Sequence, residues 1–152
     1  MKNILFVCTG NSCRSVMAEG LLKRALGARA GDYTVSSAGV AAFDGYPSTL
    51  ETIRAMREEG IDISGHQSRR ITRDMVGEAD QIYVMEKLHR EMIASFWPES
   101  AEKIHLLTEF SSVHDAGDPE PDVPDPIRTN DLFYHRTLKM IDDCVRKIAQ
   151  II

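Results

Sequence analysis

Short apolar runs that alternate with amphipathic segments constrain the fold more than any other feature of the chain. The apolar runs, each of strand length, are residues 3–8, 32–40, 80–85 and 103–107. The segments with a helical spacing of apolar residues are 15–26, 48–60, 72–79, 86–96 and about 130 to the C-terminus. Strands that alternate with helices predict right-handed crossovers and a mainly parallel sheet. At 152 residues the chain is most simply one domain, residues 1–152.

Hydroxyl side chains and prolines indicate where some of these segments begin. Ser15 opens the first helical segment and Ser48 opens the second, and serine is a preferred N-cap residue. Four of the six prolines lie between residues 111 and 126, before the last helix. Because only one helix follows, we expect residues 111–126 to form a long loop packed on the domain rather than a linker. Long ordered loops are often functional.

Composition excludes several classes of partner. The net charge is −5, and the chain lacks the basic patch that nucleic-acid binding requires. No apolar run approaches the length of a membrane span, and the N-terminus lacks the apolar core and cleavage site of a signal peptide. Three cysteines, an odd number, argue against a disulfide framework. We therefore expect a cytoplasmic protein that binds neither nucleic acid nor membrane.

The loop after the first strand has the features of an anion-binding site. It lies at the carboxyl end of a predicted parallel strand and at the N-terminus of a helix, where ligands of such sheets bind. Successive backbone N–H groups of residues 8–15 can form a concave nest for an anion, and Gly10 permits unusual backbone angles. The guanidinium of Arg14 matches a tetrahedral oxyanion in bidentate fashion. The loop therefore predicts a phosphate site.

Cys8 is the candidate nucleophile of this loop. The same positive field favours a thiolate at Cys8, and a thiolate that faces a bound phosphate can form a covalent intermediate. The hydroxyl of Ser15 can stabilise that thiolate when the cysteinyl-phosphate breaks down. A cysteine at a strand end is often only a small buried hydrophobe, but the surrounding loop favours catalysis. Cys8 and Cys13 lack the second pair of a zinc site and the spacing of a thioredoxin motif, so we expect no metal and no cofactor.

Cleavage of a phosphate ester also needs a proton donor, and the proline-rich segment supplies the candidates. Its acidic residues are Asp115, Asp118, Glu120, Asp122 and Asp125. Most acidic residues in such a segment are solvated surface groups. Asp118 and Asp125 each precede a proline, which restricts the backbone of the aspartate. The residues alone leave both as candidates.

Together these motifs resemble the low-molecular-weight protein tyrosine phosphatases. The signature of that family is a cysteine, five residues, an arginine and a serine after the first strand, as in CTGNSCRS at 8–15. SSAGV at 36–40, GIDISGHQSRRIT at 60–72, ADQIYVM at 79–85 and DVPDP at 122–126 follow in the family's order. The resemblance implies an α/β fold in a single domain, with a four-stranded parallel sheet, helices on both faces and the phosphate-binding loop after the first strand.

The resemblance also implies residue roles. It implies a protein phosphatase that works through a cysteinyl-phosphate, with Cys8 as nucleophile, Arg14 as phosphate clamp and Asp125 as general acid and base. Asp118 is the second candidate for the acid. The residues expected to surround the bound phosphoryl group are Thr9, Gly10, Asn11, Ser12, Cys13 and Ser15.

Supporting residues follow from the same resemblance. The amide of Asn11 is expected to pin the loop with the help of Ser37, and His66 is expected to brace this network through a hydrogen bond. Glu86 is either a partner of His66 or a surface residue.

Two roles are possible for Cys13. It is near enough in sequence to trap an oxidised Cys8 as a reversible disulfide, or it simply packs in the interior. Cys144, in the last helix, receives no role.

Residues 12 and 127 leave the substrate class open. Tyrosine-directed members of the family often have a bulky apolar residue where this chain has Ser12 and an aromatic residue where it has Ile127. Phe43 and Tyr46 are candidates for an aromatic rim instead. We expect phosphorylated proteins as substrates, with phosphotyrosine first. The small hydroxyl residue at position 12 resembles the protein arginine phosphatases, and that activity is the alternative.

Two further functions are disfavoured. The loop also looks like that of thioredoxin-coupled arsenate reductases, which need another cysteine pair in the middle of the chain. No cysteine lies between Cys13 and Cys144. A catalytically silent phosphate-binding module is disfavoured because a nucleophile, an arginine and an acid are all present.

Overall fold

A parallel sheet of four strands forms the centre of the computed structural model, which describes residues 1–112 and 121–152. The strands are β1 (Lys2–Cys8), β2 (Tyr33–Gly39), β3 (Gln81–Val84) and β4 (Ile104–Leu106). The α-helices of the described residues are α1 (Arg14–Leu26), α2 (Leu50–Glu58), α3 (Arg73–Glu78), α4 (Lys87–Phe96) and α5 (Asp131–Ile151). Sequence patterns missed the 3₁₀ segments of the described residues, Gly27–Asp32, Pro98–Lys103 and Leu107–Phe110. None of the helices described is both long and apolar enough to cross a membrane.

The strand order creates a binding crevice. The strands lie in the order β2-β1-β3-β4, and every pairing is parallel. After β1 the chain adds β2 on one side and then β3 on the other, so the order reverses between β1 and β3. A crevice opens at the carboxyl ends of two strands that diverge in this way, and ligands of open α/β sheets bind there. The loops after Cys8 and after Val84 both lie at this point.

Helices cover both faces of the sheet. Along β1 the buried side chains alternate: Ile4, Phe6 and Cys8 belong to the apolar cluster that contains α1 and α5. Leu5 and Val7 belong to the second cluster, with the buried residues of α3 and α4. The burial of β1 on two faces explains its continuous apolar sequence. The predicted fold is confirmed.

The predicted start of the first helix is wrong by one residue. Helix α1 begins at Arg14, and Cys13 occupies the N-cap position without a side-chain cap hydrogen bond. Ser15 lies inside the helix and does not cap it. Its hydroxyl instead contacts the sulfur of Cys8, so local capping gives way to the requirements of the loop.

The second helix is also capped by a different residue from the one predicted. Helix α2 begins at Leu50, and Oγ1 of Thr49 accepts a hydrogen bond of 3.2 Å from the backbone nitrogen of Thr52. Thr49, rather than Ser48, is therefore the N-cap. The two hydroxyl residues are adjacent in sequence, and capping preferences alone do not separate them.

The described end of the proline-rich segment is packed on the domain, as expected. Val123 is fully buried and its backbone nitrogen donates to the carbonyl of Met85, the residue after β3, at 2.8 Å. The hydroxyl of Thr108 donates to the carbonyl of Pro121. Residues 121–126 are thus fixed beside the crevice. Residues 113–120, which complete the predicted loop, lie outside the described residues.

Candidate active site

The crevice between β1 and β3 contains the predicted phosphate loop. Cys8 is the last residue of β1 and Arg14 is the first residue of α1. The intervening residues therefore turn at the N-terminus of a 13-residue helix, where backbone N–H groups and the helix dipole favour an anion. Cys8 and Arg14 are each about 2% exposed. The two side chains at the ends of the loop are therefore largely removed from water.

The sulfur of Cys8 lies among hydrogen-bond donors. It lies 2.9 Å from Oγ of Ser15 and 3.3 Å from the backbone nitrogen of Asn11. An amide nitrogen can only donate, so the sulfur accepts at least that bond. Hydrogen bonds of this kind stabilise negative charge on the sulfur.

Asn11, and not Gly10, adopts the unusual backbone conformation of the loop. Asn11 has a φ of 55°, and Gly10 is absent from the residues of positive φ among those described. The expectation that Gly10 meets this need is wrong. Asparagine tolerates the left-handed region better than most residues, because its short amide bonds locally. Here the amide nitrogen donates to Ser15 and Ser37, both at 2.9 Å, and Oδ1 accepts from the backbone nitrogen of Arg69 at 3.0 Å.

Hydrogen bonds run outward from the amide nitrogen of Asn11 in two branches, through Ser37 to Glu19 and through Ser15 to the sulfur of Cys8. Ser37 donates to a carboxylate oxygen of Glu19 at 2.8 Å, so Ser37 can only accept from the amide of Asn11. Ser15 also accepts from that amide, which leaves its own hydrogen for the sulfur of Cys8. This network therefore presents the hydroxyl of Ser15 to the sulfur of Cys8 as a donor. Sequence analysis identified Ser37 and Asn11 but missed Glu19.

His66 lies beside Asn11. Its Nε2 is 2.9 Å from the carbonyl oxygen of Asn11, to which it donates. The structure thus brings His66, Asn11 and Ser37 together, as the resemblance implies. Arg69 adds a link that sequence analysis missed, because its side-chain Nε donates to the carbonyl of Ser37 at 2.8 Å.

The close approach of β2 to the loop requires glycine at residue 39. A Cβ atom at Gly39 would lie 2.5 Å from the carbonyl oxygen of Thr9 and 2.9 Å from the backbone nitrogen of Asn11. Both are backbone atoms of the phosphate loop and cannot rotate away. We expect Gly39→Ala to displace the loop and to lower kcat/KM about a hundredfold, since misplacement by about 1 Å has effects of this size. Steady-state kinetics with a thermal unfolding curve for each variant measure this.

Gly77→Ala is the matched control for Gly39→Ala. Gly77 lies in α3 with no atom within 4 Å of an added Cβ, so activity should stay at the wild-type level. Wild-type kinetics in the Gly39→Ala variant would show that the loop does not depend on this contact.

Arg14 is oriented by three groups of the crevice. One guanidinium nitrogen, NH1, donates to Glu86 at 2.6 Å and to the carbonyl of Val123 at 2.8 Å. The other, NH2, lies 3.8 Å from Oδ2 of Asp125. Glu86 is therefore neither a partner of His66 nor a plain surface residue, the two alternatives that the sequence left open. Glu86 follows β3 at the switch point, which places it next to Arg14, and a buried guanidinium needs an anionic partner.

Asp125 lies at the exposed side of the site. Its Oδ1 accepts from the backbone nitrogen of Ile127 at 3.0 Å, and its side chain is 45% exposed. The neighbouring Asp122 has a different task, because its Oδ1 accepts from the backbone nitrogen of Lys87 at 2.8 Å at the start of α4. Asp118, the second candidate acid, lies outside the described residues together with Asp115 and Glu120.

His89 belongs to the site and was missed by sequence analysis. Its side chain is fully buried, with Nε2 2.9 Å from the hydroxyl of Thr9 and 3.5 Å from Glu86. Burial is the largest effect on its pKa, and with the nearby charge of Arg14 it lowers that pKa to about 4, although Glu86 acts in the opposite direction. His89 is therefore neutral at physiological pH. The sequence signal was the pattern EKLH at residues 86–89. It places histidine at the third position of the helix, where a capping box usually has glutamate or glutamine.

Cys13 is directed towards the helices behind the loop. It is buried, and its sulfur lies 3.6 Å from Oγ1 of Thr49, 3.7 Å from Oγ of Ser12 and 3.9 Å from the hydroxyl of Tyr134. Cys13 and Cys8 are both free thiols in this structure. The disulfide trap stays a prediction.

The rim of the site is set by a loop before α2. The backbone nitrogen of Thr49 donates to the carbonyl of Ser12 at 3.4 Å, and Ser68 fixes the loop through bonds to the backbone of Tyr46. The side chains of Phe43 and Tyr46 are exposed by 75% and 63%. Exposed aromatic side chains on a fixed loop are suited to ligand contact. Within the residues described, no group of three or more His, Cys, Asp or Glu side chains could hold a metal ion.

Comparison with known proteins finds relatives along almost the whole chain. Residues 3–152 match the family model described as low molecular weight phosphotyrosine protein phosphatase. The probable low molecular weight protein-tyrosine-phosphatase EpsP of Ralstonia nicotianae is 35% identical to this chain, over 93% of the chain and 89% of EpsP.

Solved structures of the same class share the fold. A low molecular weight protein tyrosine phosphatase from T. tengcongensis has a TM-score of 0.90 at 33% identity, with 100% of both chains covered. A cysteine-to-serine variant of the arginine phosphatase YwlE, with a phosphorylated active-site serine, has a TM-score of 0.87 at 32% identity and covers 98% of this chain and 94% of its own.

The fold and the loop together define an α/β protein with an anion-binding loop at a topological switch point. The matches with known proteins identify the family. The chain belongs to the low molecular weight phosphotyrosine protein phosphatase family.

Proposed function

We propose that this chain is a protein phosphatase that hydrolyses phosphotyrosine in proteins through a cysteinyl-phosphate intermediate. One observation carries the proposal: the sulfur of Cys8 accepts from the backbone nitrogen of Asn11 at 3.3 Å and lies 2.9 Å from Oγ of Ser15, at the N-terminus of a helix that begins with Arg14. The donors stabilise a thiolate, and the helix terminus and guanidinium attract the phosphoryl dianion to it. Family membership supports the same function.

In the first step, Cys8 attacks the phosphorus atom. A sulfur–phosphorus bond forms, the bond to the leaving oxygen breaks, and Asp125 gives its proton to that oxygen. The amide groups of Thr9, Gly10, Ser12 and Cys13 are the proposed donors to the phosphoryl oxygens, together with Arg14. The phosphorylated active-site serine of the YwlE variant supports a covalent step at the position of the nucleophile.

In the second step, water attacks the cysteinyl-phosphate. Asp125, now ionised, accepts a proton from the water, the sulfur–phosphorus bond breaks and phosphate is released. Ser15 donates to the thiolate as it leaves. Its hydrogen is available for this because its oxygen already accepts from Asn11 at 2.9 Å.

Phosphoarginine is the second candidate substrate. Its support is Ser12, a small half-buried residue beside the rim, together with the structural likeness to the arginine phosphatase YwlE. A hydroxyl at this position can bond a guanidinium, and a small side chain leaves room for it. The exposed Phe43 and Tyr46 favour an aromatic substrate instead.

Turnover of matched phosphotyrosine and phosphoarginine peptides by one preparation separates the two substrates. We expect kcat/KM to be at least about tenfold higher for phosphotyrosine, and we expect Ser12→Ile to lower phosphoarginine turnover more than phosphotyrosine turnover, because it removes a hydroxyl and narrows the site. Ser95→Ile, at an exposed position of α4, is the control. A higher kcat/KM for phosphoarginine would assign the chain to the alternative activity.

We further propose that the protein acts in the cytoplasm. The mechanism needs Cys8 as a free thiol, and Cys8, Cys13 and Cys144 are all unpaired in this structure. A reducing compartment maintains that state. Phosphorylated proteins are the proposed partners.

A further inference from the structure

His89 reaches the phosphate loop from the neighbouring helix. It is the third residue of α4, which follows β3, and its side chain is completely buried. Nδ1 lies 3.1 Å from the backbone nitrogen of Glu86, and Nε2 lies 2.9 Å from Oγ1 of Thr9. Both ring nitrogens are thus engaged, one with the helix N-cap and one with the first residue of the loop.

The contacts determine which ring nitrogen carries the hydrogen. The backbone nitrogen of Glu86 can only donate, so Nδ1 of His89 must accept. In a neutral imidazole the hydrogen is then on Nε2, which donates to Oγ1 of Thr9. An N3 residue that only caps a helix needs one acceptor, as glutamate or glutamine provides. The second nitrogen of His89 therefore does something that capping does not require.

The N-terminus of α4, with its N-cap Glu86, contacts both ends of the loop. His89 binds Thr9 at the start, and Glu86 binds NH1 of Arg14 at the end, at 2.6 Å. We propose that His89 is a positioning residue of the reaction: its neutral imidazole holds Thr9 and Glu86 in register and so keeps the loop in the shape that accepts a phosphoryl group. This inference rests on the proposed function of the loop, although its contacts do not depend on the substrate.

The surroundings keep the imidazole neutral. Within residues 1–112 and 121–152, the charged groups that face His89 are Glu86 at the N-cap of its own helix, Arg14 on α1, and Asp122 and Asp125 on the segment before α5. Burial and Arg14 lower the pKa of His89 to about 4, and the three carboxylates oppose this. A charged imidazole would direct a second hydrogen at the backbone N–H of Glu86. The geometry of the helix start therefore fits the neutral ring.

Paired variants separate positioning from capping. His89→Asn places Oδ1 near the position of Nδ1 but has no atom at the position of Nε2, so the cap is kept and the bond to Thr9 is lost. Thr9→Val removes the other partner, and Thr9→Ser restores the hydroxyl. We expect His89→Asn and Thr9→Val each to lower kcat and the affinity for inorganic phosphate about tenfold. In the double variant, kcat and phosphate affinity should be no lower than in the less active of the two single variants, since both changes remove the same bond.

The controls distinguish positioning from a general loss of stability. Thr9→Ser should recover most of the activity, and His135→Asn, on the outer surface of α5, should keep wild-type values. Additive effects in the double variant, or wild-type kcat and phosphate affinity in His89→Asn, would overturn the proposal. A lower melting temperature with unchanged kcat per folded molecule would reduce His89 to a capping residue.

A spectroscopic measurement tests the same inference without turnover. In NMR spectra of protein labelled with nitrogen-15 histidine, His89 should carry hydrogen on Nε2 and none on Nδ1 from about pH 8 to pH 5. Thr9→Val should shift the Nε2–H signal of His89. The signal is assigned by its loss in His89→Asn. Hydrogen on Nδ1 at neutral pH would refute the proposal. If the wild type hydrolysed neither peptide, the proposed function would fail, while the spectrum and the phosphate affinities would still decide the role of His89.

Discussion

Cys8→Ser is expected to lower turnover at least about a thousandfold while phosphate binding changes only slightly, since loss of a nucleophile has effects of this size or larger. A serine hydroxyl needs a base to become a nucleophile. Two groups of the described residues lie within hydrogen-bond distance of the sulfur and face it as donors, Ser15 at 2.9 Å and the backbone nitrogen of Asn11 at 3.3 Å. Neither donor can take the proton of a serine hydroxyl, because the amide nitrogen of Asn11 cannot accept and the oxygen of Ser15 already accepts from the side chain of Asn11.

Phosphate binding should survive because other groups provide it. The backbone amides, the N-terminus of α1 and the guanidinium of Arg14 are unchanged in the variant, and Arg14 is fixed separately by Glu86 and Val123. Single-turnover kinetics with a tyrosine phosphopeptide and calorimetric titration with inorganic phosphate measure the two effects. Acid quenching of the wild type during turnover should trap one phosphoryl group on sulfur.

Cys144→Ala is the matched control for Cys8→Ser. Cys144 is a buried cysteine of α5, and burial raises its pKa to about 12, so it is a neutral thiol. Turnover should remain at the wild-type level in this variant. Turnover within about tenfold of wild type in Cys8→Ser would remove Cys8 from the mechanism. Loss of phosphate binding together with turnover would indicate that the loop had lost its shape.

The sequence was sufficient to predict the strands and the position of the loop after β1, because both have local signals. The buried run at 3–8 and the alternation of strands and helices determine the parallel sheet, and the loop carries its chemistry within eight consecutive residues, 8–15. The sheet order, however, depends on which strands pair. That order places Glu86 beside Arg14, 72 residues apart in sequence.

Contacts across the crevice explain what sequence reasoning missed. Gly10 is the residue that a local rule selects for unusual backbone angles, but Asn11 adopts φ 55° because Ser15, Ser37 and Arg69 all bind its amide. Glycine is needed instead at residue 39, in β2, where the strand passes so close to the backbone of Thr9 and Asn11 that a Cβ atom would not fit. His89 was overlooked for the same reason, since its partner Thr9 is 80 residues away.

Asp125→Asn is expected to slow hydrolysis of phosphotyrosine about a hundredfold to a thousandfold, which lies within the usual range for loss of a general acid. An amide cannot give a proton to the leaving oxygen. The effect should be smaller for p-nitrophenyl phosphate, whose leaving oxygen needs less help. Phosphate affinity should stay the same or rise slightly, because the variant removes a carboxylate 3.8 Å from Arg14. A series of aryl phosphates with different leaving groups measures the change.

Asp122→Asn and Asp118→Asn complete this test. Asp122 accepts through Oδ1 from the backbone nitrogen of Lys87, and an asparagine oxygen can still do so, so Asp122→Asn should keep most of the activity. The dependence on the leaving group decides the assignment, because only the proton donor should make the rate fall steeply as the leaving group becomes poorer. If Asp118→Asn showed that steep dependence and Asp125→Asn did not, Asp118 would be the acid and Asp125 only a neighbour of Arg14.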